Sequence, residues 1–550
     1  MVDELKNSPS ARRPEIVPTL ENPGSHRIKS QLPDRPSNPA NYKESTDPKD
    51  LESTIIRQDA ARNLGGIPSK WFELKNAAGP AEVSEILCAS RHVIAEGAMT
   101  SLTRGAVPED GWVVLDTRQQ KEIHIEKESR SVTVQPGVKF REVQVALAAV
   151  GLYYPPGPTE EEASFGGMIS CNAAGAATFK YGQTRPWVKR IEVVLANGEI
   201  LDIRRGQCKA RDGHFILENA NGAERRIDVP TYKMPDVPKS SAGYYAEPDM
   251  DLIDLFIGSE GTLGVITKAT LDAIPMPSIH WALVACPNEQ KALDVNQRLR
   301  ELSLETREKR KGGDINPRVI DISAIEYVDA PSMRVLREDG QSKRGITPPL
   351  EAKTMLIIQV EKADGDTSEE LGLRLLSEVE KYGLSEGFQF APPDNTGQIK
   401  YLTDMRKAVP DGVNRRVKEN QVTKMAGDFI VPMDKVKEML EFARKTCEDL
   451  DLDLYIWGHS SDGNFHPNIV AKTPEDAELA KRALFEIGKK VIELGGSPIA
   501  EHGVGRNKTK QALLKLLYTP AEIGQMRQVK RALDPEGKLA PGNIFAMSEG

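Results

Sequence analysis

Two short segments concentrate the chemistry of this chain. GHSSDGNFHPN, residues 458–468, sets His459 and His466 on either side of a polar turn. EHGVG, residues 501–505, sets Glu501 beside His502, so three of the chain's eight histidines lie in these two stretches. Gly463 and Pro467 oppose a helix. The spacing therefore predicts a strand over 452–457, a turn over 460–464 and a second strand over 465–470, with both imidazoles converging beside the turn. With Glu501 they make a His2Glu set, which catalytic divalent-metal sites use while keeping a position open for substrate. His502 is then left as a base beside the metal. On these residues alone the competing reading is a plain polar loop and a surface Glu-His pair.

At 550 residues the chain exceeds what one core normally organises, so two or three domains are expected. Its net charge of −8 lacks the basic footprint of a nucleic-acid binder. Cys88, Cys171, Cys208, Cys286 and Cys447 never fall in a CxxC pair. That excludes a sequence-evident iron–sulfur or zinc-ribbon site and points to a reducing compartment. No apolar run reaches the ~18 residues of a transmembrane segment, and the N-terminus lacks the apolar core of a secretory signal. A cytoplasmic protein is expected, with peripheral membrane attachment left open.

The elements that must position the two segments follow from periodicity. Residues 1–70 are proline-rich with few apolar positions and read as an extended N-terminal arm. From 71 to 275 short strands alternate with helices, and Asn197-Gly198 between apolar alternations signals a hairpin over 193–203. Residues 204–250 are polar and proline-containing and read as a long excursion, with a helix over 252–257 after it. Pro275 and Pro277 mark a boundary. Over 276–545, strands near 281–285, 355–360 and 428–431 alternate with amphipathic helices over 288–303, 368–382, 433–449 and 474–494, an α+β pattern.

Two loops of the first region are built of small residues. Gly97-Ala98-Met99-Thr100-Ser101-Leu102-Thr103-Arg104-Gly105 would let backbone N–H groups approach an anion such as a pyrophosphate. Residues 165–175, FGGMISCNAAG, would let a flat ring or a phosphate lie against backbone. Neither is GxGxxG or GxxxxGK[ST], so the Rossmann and Walker readings fail on pattern. Tight structural loops remain the alternative.

In order, TSLTRGAVP, VVLD, VTVQPGV, GLYYPPGP, SFGGMISCNAAG, KYGQTR, VVLANGEIL and LFIGSEGTLGVIT resemble the FAD-binding domain of the vanillyl-alcohol oxidase/p-cresol methylhydroxylase (PCMH) superfamily. GHSSDGNFHPN and EHGVGR resemble the C-terminal domain of FAD-linked oxidases such as D-lactate dehydrogenases, glycolate oxidase flavin subunits and D-2-hydroxyglutarate dehydrogenases. The resemblance covers about residues 75–545. It implies an α+β chain: a PCMH-type FAD-binding domain of two α+β subdomains, then an oxidase domain with an antiparallel sheet.

Residue by residue, the resemblance implies that Gly97, Ala98, Thr100, Ser101, Leu102 and Gly105 cradle the FAD pyrophosphate. Pro156, Gly166, Gly167, Asn172, Gly175, Tyr181 and Gly182 would line the rest of the flavin site, and Glu260, Gly261, Gly264 and Ile266 the adenine and ribose side. His459, His466 and Glu501 would hold a divalent metal, Zn²⁺ by the resemblance. Asn468 would position the substrate, His502 would be the base, and Arg406 would pair with the substrate carboxylate. FAD is expected without a covalent link, because no histidine lies in 95–106. The implied reaction oxidises a D-2-hydroxy acid, D-lactate-like, to the 2-oxo acid. Hydride goes to flavin N5, and electrons pass to an external acceptor (quinone, cytochrome or electron-transfer protein). A homodimer is compatible with this.

Departures bear on that reading. EGAM stands where the family has consecutive glycines, so Glu96 must turn outward or weaken diphosphate binding. NAAG replaces NAGG at 172–175, and Ser461 replaces a glycine. Lys424 lies two residues farther from Asp428 than the family's lysine for a second carboxylate, which argues against dicarboxylic substrates. The main alternative is a flavin-containing electron-transfer or scaffold subunit. A phenol or alkyl-glycerone-phosphate substrate and a metallohydrolase rank below it.

Overall fold

The computed structural model describes residues 24–32, 73–313, 318–344, 347–422 and 424–546. Most of the proline-rich arm thus lies outside the described residues. Its piece Arg27–Lys29 forms a strand, with Ile28 buried.

Two sheets of the first half match the two α+β parts expected. A parallel three-stranded sheet runs Glu73–Asn76, Val113–Asp116, Val93–Glu96, flanked by the helix Pro80–Ala89. An antiparallel five-stranded sheet runs Ile123–Glu126, Ser131–Val134, Val265–Asp272, Val188–Val194, Ile200–Arg204. The hairpin at Asn197-Gly198 forms as its sequence predicts, with Val194 opposite Ile200. Gly198 adopts φ +83°, and a Cβ there would collide with Ser84 and Cys88.

The excursion at 204–250 requires a correction. It contains a hairpin of His214–Glu218 and Glu224–Asp228, which the arm strand Arg27–Lys29 joins in parallel. Phe215, Leu217 and Ile227 point one way into the core, while charged neighbours face out and give the segment its polar composition. The small-residue stretch FGGMIS is likewise a short helix, Phe165–Ser170, with Phe165, Met168 and Ile169 buried.

The second half is one antiparallel sheet ordered Phe388–Ala391, Ile279–Cys286, Thr354–Glu361, Ile322–Val328, Asp453–His459, Asn464–Val470, Met425–Ala426. One face carries Ile325, Tyr327, Ile456 and Phe465 under the helices Glu289–Lys311, Ser368–Glu380, Val436–Glu448 and Pro474–Glu493. The other face carries Val328 and Trp457 under Leu402, Met405 and Val409 of the helix Thr396–Glu419. That second face is where the functional side chains emerge.

The chain then returns to the first half. Leu514, Tyr518, Met526, Val529 and Leu533, from the helices Lys508–Leu517 and Pro520–Leu533 and the link between them, complete its core. The tail binds specifically: Asn543 Nδ2 donates to the Gly105 carbonyl at 2.9 Å. Among the described residues no helix is long and apolar enough to cross a membrane.

Candidate functional site

The hairpin Asp453–His459/Asn464–Val470 pairs Trp457 with His466 and His459 with Asn464. Directly opposed residues of an antiparallel pair share a face. His459, His466, Asn464 and Asn468 therefore project from one side, and Glu326 joins them because it lies opposite His459 on the next strand. Gly463 turns the tip at φ +84°, where any side chain would strike the Val431 carbonyl.

The segment at 501–502 closes the group. Glu501 Oε1 lies 3.5 Å from His459 Nε2, 3.4 Å from His466 Nε2 and 3.4 Å from His502 Nε2. All three rings turn Nε2 toward one oxygen, and each has a carboxylate near its other nitrogen. His459 Nδ1 meets Glu326 at 2.6 Å, His466 Nδ1 lies 3.8 Å from Asp428, and His502 Nδ1 lies 3.6 Å from Asp428. Asp428 also accepts the N–H groups of Glu501 (3.0 Å) and His502 (2.9 Å), which fixes the Glu-His pair in place.

Buried carboxylates and cations are paired closely at this point. Burial opposes charge on Glu326, yet Arg406 and His459 hold its carboxyl down at about 2. Asp428 and Glu501 are likewise held low against burial, Asp428 chiefly by His502 and Lys510 and Glu501 chiefly by Lys239 and His459. His459 is raised to about 9: burial disfavours the charged ring, but Glu326 and Glu501 outweigh it. Burial, with the neighbouring His459 adding to it, pushes His466 down to about 3 despite Glu501.

The residues fit a divalent ion. Nitrogen and oxygen ligands at about 2.0–2.1 Å in a tetrahedron stand about 3.3–3.4 Å apart. The spacings around Glu501 Oε1 are 3.4 and 3.5 Å. A carboxylate behind each ring is the usual support for a metal-bound histidine. Asp428, His466 and His502 form a second cluster of ligand type sharing His466, but Asp428 already serves two backbone amides.

Arg406, on the helix Thr396–Glu419, bonds Glu326 at 2.9 Å and, across the two halves, Thr159 at 2.7 Å. Its Nε is buried and has no partner. Asn468 donates to the His466 carbonyl at 2.7 Å, leaving its buried Oδ1 unpartnered. Lys239, from the former excursion, is 1% exposed and places Nζ 3.1 Å from both Glu501 Oε2 and Asp462 Oδ2. Sequence reasoning missed Lys239, and it missed Glu326 as well.

The small-residue segments meet this group from the other half. Arg506 N donates to the Thr103 carbonyl at 3.0 Å, so the 97–105 loop packs directly on the 501–506 segment. Met99 and Arg104 adopt φ 57° and 61°, curving that loop. Ala98 N donates to Ser164 Oγ at 3.1 Å, Ser101 Oγ bonds Thr103 Oγ1 at 2.9 Å, and Leu102 is half-exposed.

Gly97, Gly166, Gly175 and Gly264 are pressed against Ser164, Pro136, Gly157 and Val193 respectively, so their own packing favours glycine. Gly261 is open, Gly167 is nearly so, and Gly182 supplies φ 72°. Asn172 accepts the Arg185 N–H at 2.9 Å, while Pro156 and Ile266 are buried. Two expected flavin residues have their polar atoms engaged elsewhere. Tyr181 donates its hydroxyl to Glu361 at 2.6 Å, and Glu260 accepts from the N–H groups of Val504 (2.7 Å) and Gly505 (2.6 Å).

Glu96 does not turn outward. It is buried with neither oxygen partnered. Burial, with Asp116 adding to it, lifts its carboxyl to about 8. It therefore stays uncharged at neutral pH and does not repel a diphosphate.

Comparison with known proteins bears on the two halves of the chain. The family described as FAD linked oxidases, C-terminal domain, matches residues 314–544, and an FAD binding domain matches residues 76–204. In carrying both matches, the FAD binding domain first, the chain resembles FAD-linked oxidoreductases that join these two domains. It is 29% identical over 512 residues to the glycolate oxidase subunit GlcD of Bacillus subtilis, covering 92% of this chain and 94% of that protein. It is 27% identical over 463 residues to the D-lactate dehydrogenase of Archaeoglobus fulgidus, covering 82% and 85%. A solved alkyldihydroxyacetonephosphate synthase shares the fold, at 15% identity and a TM-score of 0.56 over 85% of this chain and 75% of that one.

Proposed function

We propose that this chain is an FAD-dependent dehydrogenase that oxidises a D-2-hydroxy acid, D-lactate-like, to the 2-oxo acid. Electrons then leave to an external acceptor such as a quinone, a cytochrome or an electron-transfer protein. The observation that carries the reading is the convergence of three imidazole Nε2 atoms on Glu501 Oε1, beside the partly buried Arg406 guanidinium, whose buried Nε has no partner. An α-hydroxy carboxylate matches both features, with its anion toward Arg406 and its hydroxyl toward the His/Glu point.

His459, His466 and Glu501 would hold the divalent ion, Zn²⁺ in this reading. The 97–105 loop with Gly167, Asn172, Gly182 and Gly261 would hold FAD. When bound, FAD supplies a two-electron acceptor and the ion supplies a Lewis acid that acidifies the substrate hydroxyl. Arg406 orients the substrate through its carboxylate, for which a planar, permanently charged fork is suited. Asn468, whose buried Oδ1 has no protein partner, would help position the substrate. His502 takes the hydroxyl proton at Nε2 as the α-hydrogen departs with its electron pair, and Asp428 near Nδ1 holds the ring and stabilises the imidazolium.

The experiment is anaerobic titration of the FAD-loaded chain with D- and L-lactate, glycolate, D- and L-glycerate and longer 2-hydroxy acids. Loss of the oxidised-flavin absorption with a D-acid, and not with its L-enantiomer, is the expected result. A flavoprotein that no hydroxy acid bleaches would replace this reading with the electron-transfer subunit.

A further inference from the structure

The two oxygens of Glu501 do different things. Oε1 faces the three imidazole nitrogens, and Oε2 faces Lys239 Nζ at 3.1 Å. Lys239 itself has a side-chain exposure of 0% and meets Asp462, equally buried, at 3.1 Å. An ammonium this deep is retained only with partners. Its position is built by the backbone: Ser241 N donates to the Ile499 carbonyl at 2.9 Å, and Ser240 Oγ bonds Ser497 Oγ at 3.0 Å. The segment from the first half is thus laid alongside the residues that lead into Glu501.

We propose that Lys239, balanced by Asp462, is a positioning residue that reserves Oε2 of Glu501 and makes it a one-oxygen ligand, setting the affinity and coordination number of the divalent-ion site. The inference rests on the metal reading given above. With Oε2 held, Glu501 offers a single oxygen at the point where His459 and His466 converge, which suits a small four-coordinate ion. With the ammonium gone, the carboxylate can turn both oxygens inward, the mode that larger, higher-coordinate ions use. Asp462 cancels the lysine charge, so Glu501 keeps its own charge for the ion.

The test uses the full FAD-loaded chain and Co²⁺ as the probe, because four-coordinate Co²⁺ absorbs visible light far more strongly than six-coordinate Co²⁺. Lys239→Met removes the ammonium. Lys239→Met with Asp462→Asn removes the buried pair as a unit, and it decides the matter if the single variant fails to fold. Asn at 462 can keep the bond that Asp462 Oδ1 accepts from Asn464 N at 3.2 Å.

The expected result is Co²⁺ and competing Zn²⁺ binding weakened roughly 10–100-fold, with dimmed visible bands and FAD still bound. Variants that bind both ions as the wild type does, with the same spectrum, overturn the inference and leave the metal reading standing. A wild-type chain that takes up no Co²⁺ overturns the metal reading and this inference with it.

Discussion

Asp428 holds His502 twice, accepting its backbone N–H at 2.9 Å and lying 3.6 Å from its Nδ1. The base proposed here needs its ring fixed and its developing charge met, and one carboxylate is placed to do both. Asp428→Asn is therefore expected to lower kcat by about 10²–10⁴, with FAD retained. Steady-state kinetics with the bleaching acid would check it, and an unchanged kcat would remove His502 from its role.

The histidines should separate by function. His459→Ala and His466→Ala are expected to lose the metal and turnover together, whereas His502→Ala keeps metal and FAD and loses turnover alone. Metal analysis beside flavin content distinguishes the two patterns. Normal turnover by His502→Ala would show the base to be misassigned.

Arg406 offers a KM test. Its guanidinium pairs with Glu326 at 2.9 Å and leaves Nε unpartnered. Arg406→Met is expected to weaken substrate binding by about 2–5 kcal/mol, as loss of one partner of a buried charged pair does, and to appear mainly in KM. It also strands Glu326, so a lower melting temperature should accompany it.

Glu96 makes a pH prediction. Its carboxyl ionises at about 8 in the folded chain, against the model-compound value of 4.5. The folded state therefore keeps a proton that the unfolded state releases, and stability from this group falls as pH rises from 4.5 to 8. Glu96→Gln removes that dependence. The variant should gain up to about 5 kcal/mol over wild type above pH 8 and nothing near pH 4. Denaturant unfolding at both pH values measures it, and a gain that is equal at both would contradict the buried neutral acid.

What the sequence made legible was local. The His459–His466 hairpin was readable because Asp-Gly turns and strand alternation act over a few residues, and the Glu501-His502 step because the two residues are adjacent. The Asn197-Gly198 hairpin was readable for the same reason. Lys239 was not, because only the folded chain lays the 229–249 segment beside residues 497–501. Glu326 lies in the wholly buried strand Ile322–Val328, where no alternation marks a functional face. The helix that carries Arg406 contains Pro410 in its interior, a residue that ordinarily argues for a helix end. At 204–250 the charged residues of Glu224–Asp228 hid that strand's alternation.

The most direct test of the whole account is chelation. The FAD-loaded chain would be titrated anaerobically with D-lactate, or with whichever D-acid bleaches it best. The titration would be run before and after EDTA treatment, and again after Zn²⁺ is restored. The account predicts rapid bleaching, then a flavin that stays oxidised after chelation, then recovery with the ion. Bleaching that is unaffected by removal of every bound metal would contradict it, and His459, His466 and Glu501 would then be a hydrogen-bonded cluster with no ion to hold.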